Sequence, residues 1–458
     1  MAHDDTIPFL DEPPQTPWRI RMHESNRRSR TFKRIVTFSA LLAIVIPFSL
    51  LFTYFHQSSG SSPEDLTVIL DVNAPKQPSL PPDHTTPLNV SEHAVQHSGG
   101  PVVEVEPIIF SLIMFSYDSA SEGAILMKSV LMYSSRPVEF HIICDEVART
   151  YLERRLALVK RPPRNIVVKF YDMPMSSLRA RIEREGAIAS DHSAGSPGLL
   201  KLFIHEVLPE TIKKSIFVDT DAFFISDPAL LWQQFESFQD QIAISLPTHG
   251  DQNEAEWHYA SNICSCVMLL DLEKLRNIRL MDSKVYREQD LPALSPPAFT
   301  AMYGPPGPNG HYVDVKLGDQ GYWWAIVSHR PEILQHLSYD WEVSSCLVSM
   351  YGTSLGQDDA SDSDELSHQI HTFNTAEEGH VIMPKLVHFN CLNTERYHEW
   401  DGWSDPNDDL GRAWGPAVKY HAGSKWLWLN LPPHLYHLNT SLSIETIYDV
   451  KFLDERSA

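Results

Sequence analysis

The chain has 458 residues, enough for one large α/β domain with additions or for two to three domains. Apolar residues make up 43% of it, so most of the chain can bury a core. Acidic residues outnumber basic ones by 59 to 37, which gives a formal net charge of −22 and argues against nucleic acid as a partner. The five widely spaced cysteines fit neither a disulfide-dense mini-domain nor a zinc site made of paired CxxC motifs.

An uncharged apolar run at 35–55 is long enough to cross a bilayer as a helix. Lys and Arg are frequent between residues 19 and 34, and none follows the run before Lys76. The positive-inside bias therefore predicts a cytosolic tail at 1–34 and a single-pass type II membrane protein anchored by 35–55. A cleaved signal peptide is the alternative, but this run exceeds the usual apolar region of such peptides. A soluble core helix would normally show a polar face.

Residues 56–107 are rich in Pro, Ser, Gly and His, with little apolar periodicity, and predict a flexible stem. The topology places this stem and the remaining domain, 108–458, on the far side of the membrane. Glycosylation sequons at Asn89 and Asn439 both fall in that part, as the topology requires.

From residue 108 onward, short apolar runs alternate with helical patterns. This order predicts an α/β fold with a doubly wound, mostly parallel sheet, in which ligands bind at the carboxyl ends of strands. No GxGxxG follows the first strand and no Walker A loop occurs, which argues against nicotinamide and ATP-type phosphate sites. The acidic stretch at 352–380 predicts a solvated loop. The predicted strands are 108–115, 138–144, 166–171 and 215–218, and the predicted helices are 123–134, 146–160 and 198–207.

The strongest chemical signal is Asp219-Thr220-Asp221, directly after the apolar strand at 215–218. Residues two apart on an extended chain point the same way, so both carboxylates can address one divalent cation at the sheet edge. Burying two like charges among apolar residues would be costly without a cation or hydrogen-bond donors. A strand-end turn capped by Asp is the structural alternative. A second Asp-x-Asp at 362–364 lies in the acidic stretch and is interpreted as solvated charge.

Five segments in order extend this signal, namely GLLKLFIHEVLPETIKKSIFVDTDAFFISDPALLW, CSCVMLLDLEKLR, GDQGYWWAIV, DWEV and KLVHFN. Over 108–428 the chain resembles the family 8 retaining glycosyltransferases, and in particular their LARGE-type branch. The resemblance implies a GT-A fold and transfer of a sugar from a UDP-sugar to a glycan or glycoprotein hydroxyl in the Golgi lumen. It also implies Mn²⁺ held by Asp219, Asp221 and His388, although His388 alone could be an ordinary strand histidine. A metal that bridges diphosphate oxygens neutralises the charge of the leaving group.

The resemblance assigns further residues to the donor. Lys201 would contact the diphosphate, and Ser116 and Tyr117 would hold the nucleotide. Asp319 and Gln320 would lie near the transferred sugar as catalytic residues. The structural alternatives are a surface lysine on an amphipathic helix, a core tyrosine and, for Asp319, a helix N-cap.

One departure from the family leaves the donor and the activity open. Cys264-Ser265-Cys266 stands where the family has Asn-Ser-Gly or Asn-Thr-Gly, and Asn262 is a weak candidate to replace the lost amide. Without further ligands at metal spacing, the two cysteines favour a structural pair or inert small residues over a metal or redox site. A catalytically silent lumenal binding protein of the same fold is therefore the competing hypothesis. A cytosolic, glycogenin-like self-glucosylating primer is a third.

Overall fold

The structure is a computed structural model, and it describes residues 105–250, 252, 254–345, 361, 375–392, 394–436 and 438–456. The predicted tail, the predicted anchor and the stem as far as residue 104 lie outside these residues. The same holds for most of the acidic stretch, including the second Asp-x-Asp. Within the described part, no helix combines the length and the apolar character needed to cross a bilayer.

The described residues alternate strands and helices as the sequence predicts. The strands are β1 (Ile108–Met114), β2 (Val138–Cys144), β3 (Ile166–Asp172), β4 (Lys214–Val218), β5 (Ala222–Phe224), β6 (Ile244–Leu246), β7 (Val267–Asp271), β8 (Leu334–His336), β9 (Val343–Ser344), β10 (Leu386–His388) and β11 (Leu442–Ile447). The α-helices are α1 (Tyr117–Tyr133), α2 (Glu146–Leu156), α3 (Met175–Glu185), α4 (Gly195–Leu199), α5 (Ile204–Val207), α6 (Ala229–Trp232), α7 (Leu272–Asn277), α8 (Lys284–Glu288), α9 (Ser295–Tyr303), α10 (Asp319–His329), α11 (Asp409–Gly423) and α12 (Leu453–Arg456). Short 3₁₀ helices include Leu200–Phe203, Ala255–Trp257, Ala260–Asn262 and Trp426–Leu429.

The main sheet of the described chain has eight strands in the order β11-β3-β2-β1-β4-β7-β6-β8. All neighbours pair in parallel except β7, which runs antiparallel to both β4 and β6. Both faces of the sheet are buried, because alternate residues of β1 enter different apolar clusters: Phe110 and Leu112 lie in one, and Ile113 packs against the other. The predicted mixed α/β architecture with a mostly parallel sheet is confirmed.

A second sheet, which the sequence analysis did not predict, has three strands in the order β5-β10-β9. β10 runs antiparallel to β5 and parallel to β9. Only three residues separate the end of β4 from the start of β5, so this small sheet lies directly beyond the carboxyl end of a central strand of the main sheet. It therefore brings late segments of the chain to the edge where ligands of α/β proteins bind.

Besides the helix predicted at 146–160, which ends at Leu156 as α2, two predicted helices differ from the observed ones. The first was predicted at 123–134, but α1 begins at Tyr117, because Ser116 and Ser119 form a capping box that satisfies the exposed backbone N–H groups. The second, predicted at 198–207, is divided into α4, a 3₁₀ turn and α5. The C-terminal strand β11, which extends the sheet beyond β3, was also not predicted.

A buried ion pair joins helices on one face of the main sheet. The Arg181 guanidinium of α3 donates from Nε and Nη2 to the two carboxylate oxygens of Glu206 on α5, each at 2.7 Å. Both side chains are almost completely buried, and Asp454 of α12 lies 3.8 Å from the same guanidinium. Since an unpaired buried charge is costly, loss of either partner should strongly destabilise this region.

Candidate active site

Asp219 and Asp221 occupy the short connection between the two sheets. The N–H of Asp219 donates to the carbonyl of Cys266 at 2.8 Å, and the carbonyl of Asp221 accepts from the N–H of Phe389 at 2.9 Å. Cys266 directly precedes β7, and Phe389 directly follows β10. The backbone of both aspartates is therefore fixed by neighbouring strands.

His388 reaches the aspartates through the second sheet. In the antiparallel register of β10 with β5, His388 lies opposite Ala222, the residue after Asp221. Ligand atoms of Asp219, Asp221 and His388 all lie within 4.8 Å of one another, and His388 Nε2 is 3.4 Å from Asp221 Oδ1. Carboxylate oxygens with one imidazole suit Mn²⁺ and similar divalent cations, so the donor set fits the predicted metal. The structure brings the three residues together, and their role as ligands stays a prediction.

The charges of these three groups depend on one another. Burial raises the pKa of Asp219 to about 6, against the opposing positive charge of Lys201. Burial would also raise the pKa of Asp221, but the positive charge and hydrogen bond of His388 outweigh it and lower that pKa. Burial would lower the pKa of His388, yet Asp221 and Glu342 raise it to about 10. A cation bound here would replace a proton on the imidazole, because metal ligands must be deprotonated.

Lys201 and Asp319 extend the charged group beyond the aspartates. Lys201 Nζ lies 2.8 Å from Asp219 Oδ1 and 3.4 Å from Asp319 Oδ2. Asp319 is the first residue of α10, where Gly318 forms the N-cap with a φ of 61°. A Cβ at Gly318 would come within 3.1 Å of His192, so glycine permits both the left-handed backbone and the close packing. The Asp319 side chain is not the N-cap that the structural alternative required.

Gln320 follows Asp319, and its amide Nε2 donates to the carbonyl of Ala260 at 2.9 Å. This contact ties the start of α10 to the segment that precedes β7.

Ser116 and Tyr117, which were both predicted to hold the nucleotide, lie in different surroundings in the structure. Ser116 lines the cleft and caps α1, whereas Tyr117 does not line it and packs edge-to-face on Tyr151.

These groups meet in one cleft of about 880 Å³ at the carboxyl edge of the main sheet. Except for Tyr117, every residue predicted for the site lines it. Those residues are Ser116, Lys201, Asp219, Asp221, Asp319, Gln320 and His388.

Cys264 and Cys266 form a disulfide in the wall of the cleft, so of the two favoured interpretations, a structural pair or inert small residues, the structure shows the pair. The residue between them, Ser265, contacts two charged groups: its hydroxyl donates to Asp319 Oδ2 at 2.8 Å, and its carbonyl accepts from Lys201 Nζ at 3.4 Å. The sulfur pair thus closes a small ring whose backbone and hydroxyl position side chains of the site. Asn262, the candidate replacement for the family's amide, does not line the cleft.

The sequence analysis did not assign Glu342 and His249, which lie behind the predicted metal ligands. The Glu342 carboxylate is almost completely buried, with Oε1 at 3.7 Å from His388 Nδ1 and Oε2 at 2.9 Å from His249 Nε2. Burial would raise the pKa of Glu342, but the two histidines lower it to about 2. Carboxylates commonly orient metal-binding imidazoles from the side opposite the metal. Glu342 lies in the DWEV segment, but only the pairing of β9 with β10 shows what it contacts.

Glu122 of α1 is a second buried carboxyl in the cleft wall that the sequence analysis did not assign. Its Oε1 accepts from the N–H of Tyr397 at 2.8 Å, and Thr220 Oγ1 lies 3.5 Å from Oε2. Burial, together with the negative charge of Asp221, raises the pKa of Glu122 to about 8. This carboxyl therefore binds its proton up to about neutral pH in the metal-free protein.

No protein-family model matches the chain. Its sequence is similar to xylosyl- and glucuronyltransferases. The rat LARGE2 protein is 28% identical over 253 residues, 52% of this chain and 32% of the relative. Human LARGE1 is 26% identical over 259 residues, which cover 53% of this chain and 30% of the relative. The chain is a homologue of the LARGE glycosyltransferases. The match spans about a third of each relative's length.

Similarity to solved structures is weaker. Mouse xyloside xylosyltransferase 1 in its apo form is 19% identical, with a TM-score of 0.41 over 62% of this chain and 99% of that one. The galactosyltransferase LgtC, in complex with donor and acceptor sugar analogues, is 12% identical. Its TM-score is 0.43, and the match covers 71% of this chain and 98% of that one. The relationship to LARGE therefore rests on the sequence relatives.

Proposed function

We propose that this LARGE homologue is a metal-dependent retaining glycosyltransferase of the GT-A fold that transfers a sugar from a UDP-sugar to a hydroxyl of a glycan or glycoprotein. The observation on which this proposal rests is the convergence of Asp219, Asp221 and His388 within 4.8 Å, beside Lys201. Two carboxylates, an imidazole and a lysine in one cleft form a site for a divalent cation with a diphosphate.

Each group has a role that follows from its surroundings. Mn²⁺ held by Asp219, Asp221 and His388 would supply positive charge to the diphosphate of the leaving UDP. Lys201 adds a second positive charge next to Asp219, where the same phosphates would bind. The Asp319 carboxylate accepts from the Ser265 hydroxyl, which fixes its direction at the end of the cleft assigned to the sugar.

The cellular setting belongs to the same proposal. The apolar run at 35–55, the basic residues before it and the sequons after it support a single-pass type II protein of the Golgi membrane. The catalytic domain would then face the lumen, where glycan and glycoprotein acceptors are processed.

Nucleotide binding and turnover by the full-length protein test the proposal. The relatives are named for transfer of xylose and glucuronic acid, so UDP-xylose and UDP-glucuronic acid are the first donors for the assay. We expect UDP binding and UDP-sugar hydrolysis that both depend on Mn²⁺, and a loss of at least about 100-fold in hydrolysis for Asp221→Asn. The chain offers a matched control in its other Asp-x-Asp, where Asp364→Asn should leave both activities unchanged.

Three outcomes are informative. Hydrolysis that does not change when Mn²⁺ is removed would overturn the metal role. Metal-dependent UDP binding without turnover of any UDP-sugar would instead favour the silent binding protein. Equal losses from Asp364→Asn and Asp221→Asn would overturn the assignment of the site, since Asp221 lines the cleft and the sequence analysis interprets the second Asp-x-Asp as solvated charge.

A further inference from the structure

An exposed tryptophan lies in the wall of the cleft next to the segment that contacts Gln320. Trp257 ends the 3₁₀ turn Ala255–Trp257 and lines the cleft, with 36% of its surface still accessible to solvent. Three residues further on, the carbonyl of Ala260 accepts the amide of Gln320 at 2.9 Å. The indole therefore belongs to the part of the cleft that adjoins the start of α10, and it leaves a large apolar surface open there.

The backbone beside Trp257 adopts a conformation that side chains other than glycine rarely take. His258 and Tyr259 have φ values of 50° and 62°, and on the other side of Gln320, Leu317 has a φ of 59°. Each such residue costs about 1 kcal/mol or more, so the surrounding contacts must hold it. Strain of this kind is concentrated at ligand-binding positions.

Several contacts fix this segment to the rest of the domain. The indole Nε1–H of Trp324 on α10 donates to the carbonyl of His258 at 2.8 Å, and the carbonyl of Asn262 accepts from the N–H of His249 at 2.7 Å. The His258 ring also packs edge-to-face on Tyr303, with centroids 5.4 Å apart. These contacts hold the chain directly after Trp257, so the indole lies next to a segment that is anchored to α10 and to His249, which lowers the conformational entropy lost on binding.

We propose that Trp257 is the floor of an acceptor subsite, on which one sugar ring of a glycan stacks against the indole face. The inference rests on the proposed function, since it takes the cleft beyond Gln320 as the side from which the acceptor hydroxyl approaches the donor sugar. A pyranose ring has an apolar C–H face and polar edges, which matches a flat aromatic surface in a cleft that is also lined by polar residues such as Gln252 and Gln320. The same surface does not suit a second phosphate or a metal, for which it offers no ligand atom.

Direct binding of simple glycosides tests the subsite without knowledge of the natural acceptor. Saturation-transfer NMR on the full-length protein, with UDP and Mn²⁺ present to fill the donor site, would use the methyl glycosides of xylose, glucuronic acid, galactose and glucose. We expect saturation of the ring protons of at least one glycoside. For Trp257→Ala we expect affinity for it to fall about tenfold, whereas Trp257→Phe keeps most of it because a stacking face remains.

The matched control is Trp428, which is 68% exposed and does not line the cleft, so Trp428→Ala should bind the glycoside as the wild type does. Thermal unfolding shows whether Trp257→Ala is folded. If it is not, Trp257→Phe against Trp257→Leu gives the same comparison. Equal binding with and without the aromatic ring, or no saturation of any glycoside by the wild type, overturns the inference.

A second readout separates this inference from the proposed function. In the presence of an accepted glycoside, Trp257→Ala should lose about tenfold more transfer than hydrolysis of the donor, because hydrolysis uses water and needs no sugar acceptor. Equal losses would contradict an acceptor role. If the wild type binds a glycoside but neither binds UDP nor hydrolyses any UDP-sugar, the proposed function fails while the sugar site stands.

Discussion

Replacing Glu342 with glutamine tests whether the carboxylate behind His388 prepares the predicted metal site. The change keeps the size of the side chain and removes the negative charge that lies 2.9 Å from His249 and 3.7 Å from His388. In the metal-free protein, the histidines lower the Glu342 pKa from 4.5 to about 2, against burial. This lowering corresponds to roughly 3 kcal/mol of folding stability at neutral pH. Because the folded pKa is depressed, the contribution is present above about pH 4.5 and disappears as the pH falls toward 2.

Metal affinity is the readout that distinguishes positioning from stability. Loss of a carboxylate that orients a metal-binding imidazole typically reduces affinity by 10- to 100-fold. We therefore expect Glu342→Gln to bind Mn²⁺ about 10- to 100-fold more weakly in calorimetric titrations of the full-length protein. In urea unfolding without metal, we expect it to be less stable by about 3 kcal/mol at neutral pH, with a smaller difference at about pH 3.

Glu206 provides the matched control, since it is equally buried and equally engaged with a cationic partner, Arg181, but it does not line the cleft. Glu206→Gln should lower stability and leave the affinity of the folded protein for Mn²⁺ unchanged. If Glu342→Gln binds Mn²⁺ as tightly as the wild type, Glu342 does not position His388. If both variants lose affinity equally, the effect reflects general destabilisation.

Two further predictions concern the cleft wall. Burial raises the Glu122 pKa to about 8, so the folded protein binds a proton there that the unfolded chain releases near pH 4.5. Glu122 should therefore contribute up to ~1.4 kcal/mol per pH unit to the stability that metal-free wild type loses between about pH 5 and about pH 8, and Glu122→Gln should lose correspondingly less over this range; parallel dependence of stability on pH in the two proteins would contradict it. The Cys264→Ser/Cys266→Ser double variant should bind UDP-sugar several-fold more weakly by calorimetry, because the ring that positions neighbouring site residues opens. The control is Cys144→Ser, which removes a buried free thiol. Substitution is preferable to a reductant because Cys391 is also disulfide-bonded and would be reduced as well. Equal affinity of the double variant and the control for UDP-sugar would refute the positioning role.

The local features of the fold could be predicted from the sequence because short-range physics determines them. β2 was predicted with the observed bounds, since a short segment rich in β-branched and aromatic residues between polar turns is typical of a buried strand. The position of Asp219 and Asp221 followed from the end of β4. The start of α1 was missed because Ser116, which caps this helix together with Ser119, was assigned to the nucleotide instead.

The sequence by itself determined four of the eight strands of the main sheet, β1 to β4, the edge at which Asp219 and Asp221 lie, and the family that the ordered segments resemble. Only the tertiary structure decided which distant groups meet those aspartates. β5, β9 and β10 have two or three residues each, too few for a periodic pattern, so their pairing depends on hydrogen bonds between segments far apart in the chain. That pairing brings His388 to the aspartates and Glu342 to His388. The packing of Tyr117 on Tyr151 likewise keeps Tyr117 out of the cleft that the neighbouring Ser116 lines.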